Sequence, residues 1–334
     1  MVTVSAPAKI HLLGEHVVVY SKPALLAAIN RRVYVKVKSQ KSVPSKVEGS
    51  KVKSKEDEVI QIRTSENDSF VRKAISIFQK AFVIGELPPL EVTITSQIPT
   101  GSGLGSSAAC AAAVIGALMK SVKNLWNPQR INDLAFEVEK EAHGNPSGAD
   151  NTTVVFGGLV WFRREFDFLR SIWSLPMVSY KIPQFVLIDT GRPLESTKEM
   201  VEKVANFSRK KRGKFNGILQ NQEEQTKKLL LSLRSGDKRE LIEAIRYGER
   251  NLEMLEVVGS RAKKIIRDIE AIGGVAKVCG AGGVKQGSGI LITYSNNLQK
   301  LSAIGSKHKV SISPVVLGEE GIRIEALRQT QDKQ

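Results

Sequence analysis

Cysteine is scarce in this sequence, which has Cys110 and Cys279 among its 334 residues. Two cysteines cannot form the disulfide framework on which small secreted domains depend, so a cytoplasmic location is the prediction. Cys110 lies within a run of alanines. A free thiol in such surroundings behaves as a small apolar side chain, and we expect it to be buried.

Long apolar runs are also missing. The most apolar stretch near the N-terminus, residues 10–29, is interrupted by Glu15, His16 and Lys22 and has no small-residue cleavage site. A segment with this pattern is too polar to span a bilayer and differs from a secretory signal peptide. We therefore expect no membrane partner.

Acidic residues are few compared with basic ones: 34 Asp and Glu face 50 Lys and Arg, a formal net charge of +16. Such an excess suits an anionic ligand, a nucleic acid or an anionic surface. The stretch 36–55, with seven lysines and one acid, is predicted to be a solvated, mobile loop. Because it lacks interleaved aromatic residues, we expect no nucleic-acid partner. A nucleic-acid-binding protein stays the alternative from another class, and it predicts salt-dependent binding without ATP turnover.

The length exceeds what one hydrophobic core usually supports, so two domains are expected. We place them at residues 1–168 and 169–334, with the boundary after an apolar strand. Periodicity predicts single helices at 70–82, 128–141 and 297–307, and several helices between residues 199 and 272. It predicts strands at 2–5, 24–38, 59–62, 90–95, 157–162, 185–188, 290–294 and 321–325.

A glycine loop stands between a predicted strand and an alanine-rich predicted helix. Its three glycines alternate with other residues, which suits a backbone that must curl closely around a ligand. The N–H groups of the loop and of the helix N-terminus would attract a phosphate, although an ordinary tight turn is the alternative. The spacing is neither that of the Walker loop nor that of the dinucleotide fingerprint. The predicted phosphate site comprises Pro99, Gly101, Ser102, Gly103, Leu104, Gly105, Ser106 and Ser107.

Charged residues interrupt the apolar segment 6–20 at Lys9, Glu15 and His16. Buried charges persist when they are paired or used in function. Two interpretations stay open here. Lys9 either forms an internal ion pair or aims its charge at a phosphate, and Glu15 and His16 would then face a polar substrate.

Two carboxylates flank the turn at 143–149. Glu139 lies on the last turns of a predicted helix, and Asp150 follows the turn. Paired carboxylates near a phosphate loop suit a metal-bound nucleotide and a general base. The alternatives are a surface position for Glu139 and a capping role for Asp150.

A second glycine run, Gly280-Ala281-Gly282-Gly283, precedes the strand at 290–294. Val284, Lys285 and Gln286 then lengthen the turn. Lys285 is either an exposed residue on this longer turn or a positive charge that reaches a phosphate.

The segment 6–20, the glycine loop at 99–107 and the glycine run at 280–283 follow one another along the chain, and they resemble the first, second and third motifs of the GHMP kinases. The strings Gly-Glu-His-Val-Val-Val-Tyr and Glu-x-x-x-His-Gly-Asn-Pro-Ser-Gly-x-Asp-Asn resemble the pattern of the mevalonate kinase family within that superfamily. Ser21 stands where the family usually has Gly. Glu195 stands where a similar stretch usually has Arg, so Arg192 or Lys198 would have to supply a basic contact.

The resemblance implies an α+β fold with an N-terminal α+β domain, a C-terminal ferredoxin-like domain and a ligand cleft between them. It implies ATP and Mg²⁺ as cofactors, mevalonate as the small-molecule substrate and a possible homodimer. Phosphomevalonate kinase, or another small-alcohol kinase of the superfamily, is the nearest alternative.

The resemblance also implies residue roles. Asp150 would be the general base and Lys9 its catalytic partner, which keeps it ionised and stabilises the transferring phosphoryl group. The first glycine loop, Gly280 and Gly282 would hold ATP. Metal ligands would be Ser107 and Glu139, and substrate contacts would come from Glu15, His16 and Thr197.

Overall fold

The structure, a computed structural model, describes residues 1–39, 60–64, 68–99, 101–144, 146–166 and 168–326. Most of the lysine-rich segment predicted as a mobile loop lies outside the described residues. The described ranges contain both sheets and helices, which confirms the predicted α+β class. None of their helices has the length and apolar character needed to cross a bilayer.

The strands are β1 (Val2–Leu13), β2 (Ala24–Ser39), β3 (Ile60–Arg63), β4 (Leu90–Ser96), β5 (Leu159–Arg164), β6 (Arg170–Leu175), β7 (Phe185–Asp189), β8 (Val275–Val278), β9 (Ile290–Tyr294), β10 (Ile312–Val315) and β11 (Arg323–Ile324). The helices are α1 (Asp68–Ala81), α2 (Ser106–Lys123), α3 (Pro128–His143), α4 (Ala149–Phe156), α5 (Thr197–Lys210), α6 (Arg212–Ser235), α7 (Lys238–Met254), α8 (Ser260–Ala271) and α9 (Leu298–His308). A 3₁₀ helix spans Val17–Tyr20. The predicted elements are present, and the structure adds β6, β8, β10 and α4.

The first sheet is built on the long antiparallel pair β1 and β2. Within the described residues its order is β11-β1-β2-β4-β3, with β5 also paired to β2 and β6 paired to β5. Helix α2 packs on β1 and β2, and α1, α3 and α4 pack around α2. Alanines at 108, 109 and 111–113 are fully buried and Cys110 is 5% exposed. Small side chains therefore let α2 lie close to the sheet, and the prediction for Cys110 is confirmed.

The second sheet has the order β10-β7-β9-β8 among the described residues, with antiparallel pairs throughout. Helices α7 and α8 pack against β8, and α6 forms an antiparallel hairpin with α7. This hairpin also contacts β1, because Gly248 of α7 lies against Leu13. A Cβ at position 248 would come within 2.1 Å of the Leu13 Cδ2 atom.

Strand pairing joins residues on both sides of position 168, the predicted domain boundary. β6 pairs with β5 over residues 159–164 and 170–175, and β11 returns the chain to β1. Exposed apolar side chains on β6, such as Trp173, obscure the alternation that would have revealed a strand. The domain division stays a prediction, and the crossing to the second sheet lies between β6 and β7.

A buried arginine fixes the returning C-terminal segment to the first sheet. Arg32 of β2 is 3% exposed. Its guanidinium donates to the Ser5 carbonyl at 3.2 Å, to the Glu320 carbonyl at 2.9 Å and to the Gly321 carbonyl at 2.7 Å. It also pairs with Glu319 at 3.0 Å. One planar side chain thus satisfies acceptors on both β1 and the C-terminal segment.

We expect Arg32→Met to lower the free energy of unfolding by about 3–5 kcal/mol, because several buried acceptors lose their donor. Urea denaturation followed by circular dichroism measures the change. Arg31→Met, at the neighbouring and more exposed position, is the matched control. Equal stability of the two variants would contradict the role assigned to Arg32.

Candidate active site

The first glycine loop adopts the conformation that its spacing predicts. Gly101, Gly103 and Gly105 have φ angles of 73°, 80° and 76°, a region that side chains other than glycine rarely occupy. Helix α2 begins directly afterwards at Ser106, and no side-chain hydrogen bond caps it. The N–H groups of its first turn therefore face the loop region, where an anion is favoured.

The first glycine loop and the glycine run at 280–283 meet backbone to backbone. A Cβ on Gly103 would lie 2.6 Å from the Cys279 carbonyl oxygen, and a Cβ on Gly280 would lie 2.8 Å from the Gly103 Cα. The Ile290 N–H donates to the Ser102 carbonyl at 3.3 Å. Only glycine permits this approach, so both glycines are needed to bring the two motifs together.

Lys9 of β1 lies directly beneath the first glycine loop. Its side chain is 2% exposed, and its Nζ is 3.0 Å from the Asp150 Oδ2 atom. The same ammonium donates to the Gly103 carbonyl at 3.3 Å. A Cβ on Gly105 would come within 2.8 Å of the lysine stem. Lys9 therefore forms an internal ion pair, as the first interpretation predicts. It also lies beside the first glycine loop, and its approach to a phosphate stays a prediction.

Asp150 lies in the first turn of α4, after Gly148 with its φ of 89°. Gly148 is the cap residue of that helix, so the predicted alternative of a capping role for Asp150 is not what the structure shows. The carboxylate of Asp150 is 37% exposed. It is held by Lys9 and still open to an incoming substrate.

Glu139 is buried on α3, with 6% exposure, and is not a surface residue. Burial raises the pKa of its carboxyl to about 7, the Asp150 charge adds to the rise, and a hydrogen bond with the Ser107 hydroxyl opposes it. This contact joins the start of α2 to α3. A hydroxyl and a carboxylate at the edge of the phosphate loop are hard oxygen donors of the kind that Mg²⁺ prefers.

No cluster of three or more His, Cys, Asp or Glu residues that could hold a metal occurs in the described ranges. Mg²⁺ usually takes one or two protein ligands and completes its shell with water and phosphate oxygens. Ser107 and Glu139 fit that pattern, because the neighbouring loop would bring the phosphates.

A second buried lysine, Lys277 of β8, binds the N-terminal motif and was not anticipated from the sequence. It is fully buried and forms an ion pair with Glu15. It also donates to the His11 carbonyl at 3.2 Å and to the Val278 carbonyl at 2.7 Å. The sequence feature that could have indicated this contact is a single lysine within an apolar strand, just before the glycine run. The predicted substrate contact of Glu15 stays a prediction, since its carboxylate here contacts Lys277.

His16 links the first motif to the third. Its Nε2 lies 3.0 Å from the Ala281 carbonyl oxygen, and burial lowers the pKa of its ring to about 4. The ring is therefore neutral at pH 7 and donates this hydrogen bond. Its predicted substrate contact is untested by this geometry.

A cavity of about 650 Å³ opens between the two glycine motifs and the segment before α5. Thr197, the first residue of α5, lines it together with Gly101, Gly103 and Gly282. The Arg192 side chain also lines this cavity and lies against Gly101. Thr197 thus lines the same cavity as the first glycine loop. Arg192 places a cation in this cavity, which Glu195 also lines.

Glu195 holds the lengthened third loop. Its carboxylate accepts from the Val284 N–H at 3.4 Å and from the Lys285 N–H at 3.2 Å. The Lys285 side chain is exposed, which is what the longer-turn interpretation expects. The backbone of this turn, rather than the lysine side chain, is what contacts the neighbouring segment.

Residues 69–158 match the family model described as the GHMP kinases N terminal domain. This range contains the first glycine loop, Glu139 and Asp150. Over 354 aligned residues the chain is 32% identical to the mevalonate kinase of Thermococcus sibiricus, covering 98% of this chain and 99% of the relative. The chain belongs to the mevalonate kinase family of the GHMP kinases.

Solved structures of GHMP kinases share the fold. The crystal structure of the Methanococcus jannaschii mevalonate kinase superposes with a TM-score of 0.76 at 19% identity, covering 95% of this chain and 98% of that one. A Streptococcus pneumoniae phosphomevalonate kinase, in complex with phosphomevalonate and AMPPNP, gives 0.74 at 17% identity, covering 95% and 100%. At these identities the likeness shows the fold alone, so it does not distinguish the acceptors.

A third buried carboxylate, Glu249 of α7, adjoins Lys277. It accepts from the Val278 N–H at 2.9 Å, and burial raises the pKa of its carboxyl to about 8. Because Glu15 already balances the Lys277 charge, Glu249 is held in its protonated, neutral form.

We expect the free energy of unfolding to fall as pH rises from about 5 to 8, by roughly 1 kcal/mol per pH unit from Glu249. The folded state keeps the Glu249 proton up to a pKa of about 8, whereas the unfolded chain loses it near the ordinary glutamate pKa of 4.5. Urea denaturation at several pH values should show this slope reduced in Glu249→Gln. Glu243→Gln, at an exposed position on α7, should keep it. Parallel pH profiles for wild type and Glu249→Gln would contradict a buried neutral carboxyl.

We expect Glu139→Gln and Ser107→Ala to raise the Mg²⁺ concentration needed for half-maximal turnover about ten-fold, the loss of roughly 1.4 kcal/mol of metal binding. High Mg²⁺ should restore part of the rate. Glu137→Gln, on the exposed side of α3, is the control. An unchanged Mg²⁺ requirement in both site variants would remove these residues from the metal site.

Proposed function

We propose that this chain transfers the γ-phosphoryl group of ATP to the 5-hydroxyl of mevalonate, giving 5-phosphomevalonate. The observation that carries the proposal is the ion pair between the buried Lys9 and the partly exposed Asp150, at 3.0 Å, beside the first glycine loop. It sets a carboxylate and a cation at the place where a phosphate chain would end. Family membership supports the choice of substrate.

The first glycine loop and the start of α2 would hold the ATP phosphates. No side-chain hydrogen bond caps the start of α2, and the three glycines with positive φ angles keep side chains out of the way. Gly280 supports this loop through its contact with Gly103, and Gly282 lines the adjacent cavity. Ser107 and Glu139 would hold Mg²⁺, which neutralises charge on the phosphate oxygens when bound.

Asp150 would accept the proton of the attacking hydroxyl. Its exposed fraction gives a substrate access, and the ion pair with Lys9 holds the carboxylate in place. As the phosphoryl group moves, negative charge spreads over its oxygens, and the Lys9 ammonium would stabilise that charge. Positioning and charge compensation would then supply most of the rate, since phosphoryl transfer needs little covalent help.

The rest of mevalonate would lie between the first loop and α5. Thr197 offers a hydroxyl across the cavity, and Arg192 offers a cation for the substrate carboxylate. His16, neutral and fixed on the Ala281 carbonyl, would contribute to the shape of the site. The role of Glu15 would be indirect, through its ion pair with Lys277.

An acceptor panel tests the proposal against its nearest alternative. Purified protein is assayed for ADP release with mevalonate, phosphomevalonate, homoserine and galactose, at two salt concentrations. Turnover with mevalonate alone is the expected result. Preference for phosphomevalonate would establish the alternative kinase, which the shared fold permits. Absence of turnover with salt-sensitive RNA binding would favour a nucleic-acid-binding protein.

We expect Asp150→Asn to lower kcat by roughly 10²–10⁴-fold, because an amide keeps the shape of the side chain but cannot take a proton. ATP binding should persist, since the glycine loop is untouched. Stopped-time assays and fluorescent-nucleotide titration measure the two effects. Asp133→Asn, at an exposed position on α3, is the control. A variant that kept more than about a tenth of wild-type kcat would be incompatible with a general base.

A further inference from the structure

We infer that His11 is a positioning residue of the site: its imidazole fixes the Lys9 ammonium against Asp150 as a neutral acceptor, so that the lysine keeps its charge for the phosphoryl group. The inference rests on the proposed function and adds a residue to it. His11 lies within the segment 6–20, but no role was predicted for it from the sequence.

The geometry follows from the strand. Lys9 and His11 are two residues apart on β1, so their side chains emerge on the same face. The Lys9 Nζ is 3.1 Å from the His11 Nδ1. Together with Asp150 and the Gly103 carbonyl, the ring gives the ammonium three acceptors for its three hydrogens. The position of the charge is thereby fully determined.

The ring is neutral for several reasons. Its side chain is 8% exposed. Burial, followed by the charges of Lys9 and Lys277, lowers the pKa of His11 well below its ordinary value. The Asp150 Oδ1 atom lies 4.0 Å away, beyond hydrogen-bond distance. Because Nδ1 faces an ammonium, Nδ1 must be the acceptor and Nε2 must carry the hydrogen.

Neutrality has a consequence for the reaction. A carboxylate at this place would hold Lys9 equally well, but two anions would then compensate one cation. The field at the phosphoryl oxygens would be weaker, and catalysis by a fixed charge would suffer. Both other acceptors besides Asp150, the ring and the Gly103 carbonyl, are uncharged.

Packing alone does not explain a histidine here. The His11 Nε2 atom is buried and has no hydrogen-bond partner among the residues that the structure describes. A buried unsatisfied N–H costs roughly 1–3 kcal/mol, a cost that leucine would avoid. The compensating contact in the described structure is the one with Lys9.

Three substitutions of His11, all with side chains branched at Cγ, distinguish a neutral acceptor for Lys9 from a charged acceptor and from no acceptor. In His11→Asn, the amide oxygen can take the place of Nδ1 and accept from Lys9 without charge. In His11→Leu there is no acceptor. In His11→Asp the acceptor carries a negative charge. His308→Asn, on α9 and paired with Asp268 at 2.7 Å, is the control outside the site.

We expect His11→Asn to keep kcat within about three-fold of wild type, and His11→Leu and His11→Asp to lose about ten-fold or more, with the ATP KM nearly unchanged. These assays use as phosphoryl acceptor the alcohol that the wild-type enzyme phosphorylates best. Full kcat in His11→Leu or His11→Asp, or an equal loss in His11→Asn and His11→Leu, would overturn the inference.

A spectroscopic measurement decides the question independently of activity. In protein labelled with ¹⁵N-histidine, the four rings give separate signals, and His11 is assigned by its absence in His11→Asn. We expect a neutral ring with the hydrogen on Nε2 at pH 7. An imidazolium, or a hydrogen on Nδ1, would overturn the inference. Wild-type enzyme without turnover on any acceptor would instead contradict the proposed function, and the ring measurement would still stand.

Discussion

A buried ammonium group is the constraint on which the site depends. An unpaired charge inside a protein is very costly, so Lys9 requires acceptors on every side. These come from α4 through Asp150, from the first glycine loop through Gly103, and from β1 itself through His11. The lysine therefore holds Asp150, the first glycine loop and the central strand in one arrangement. Removing any of these acceptors would release part of the site rather than one contact.

The second buried lysine, Lys277, also needs acceptors for its charge, and it finds them across the two sheets. Lys277 comes from β8 of the second sheet and reaches Glu15 and the His11 carbonyl in the first motif. The Gly103–Gly280 contact lies nearby and also joins the two halves. Two kinds of contact thus join the sheets. The Lys277–Glu15 ion pair compensates a buried charge, and the absence of side chains at Gly103 and Gly280 lets the two glycine loops approach closely.

Most elements and the main parts of the site could be predicted, because their signals are local. Three alternate glycines imply positive φ angles, and Asp150 follows a turn that its own neighbours dictate. The Glu139–Ser107 pair followed only from the resemblance, and the partner of Glu15 could not be predicted, because Lys277 is distant in sequence. His11 is a different case. Its spacing of two residues from Lys9 places both side chains on one face only if the segment is a strand. The predicted strand ended at residue 5, whereas β1 continues to Leu13. A lone histidine among apolar residues is also more often part of a core.

The acid at position 195 and the length of the third loop are linked by hydrogen bonds. The Val284 and Lys285 N–H groups of the longer turn both donate to the Glu195 carboxylate. An arginine side chain at position 195 has donors only and could not accept from either group. A longer turn therefore favours an acid at this place. Arg192 lies against Gly101 and lines the same cavity, so a cation is present beside the first glycine loop while Glu195 supports the turn.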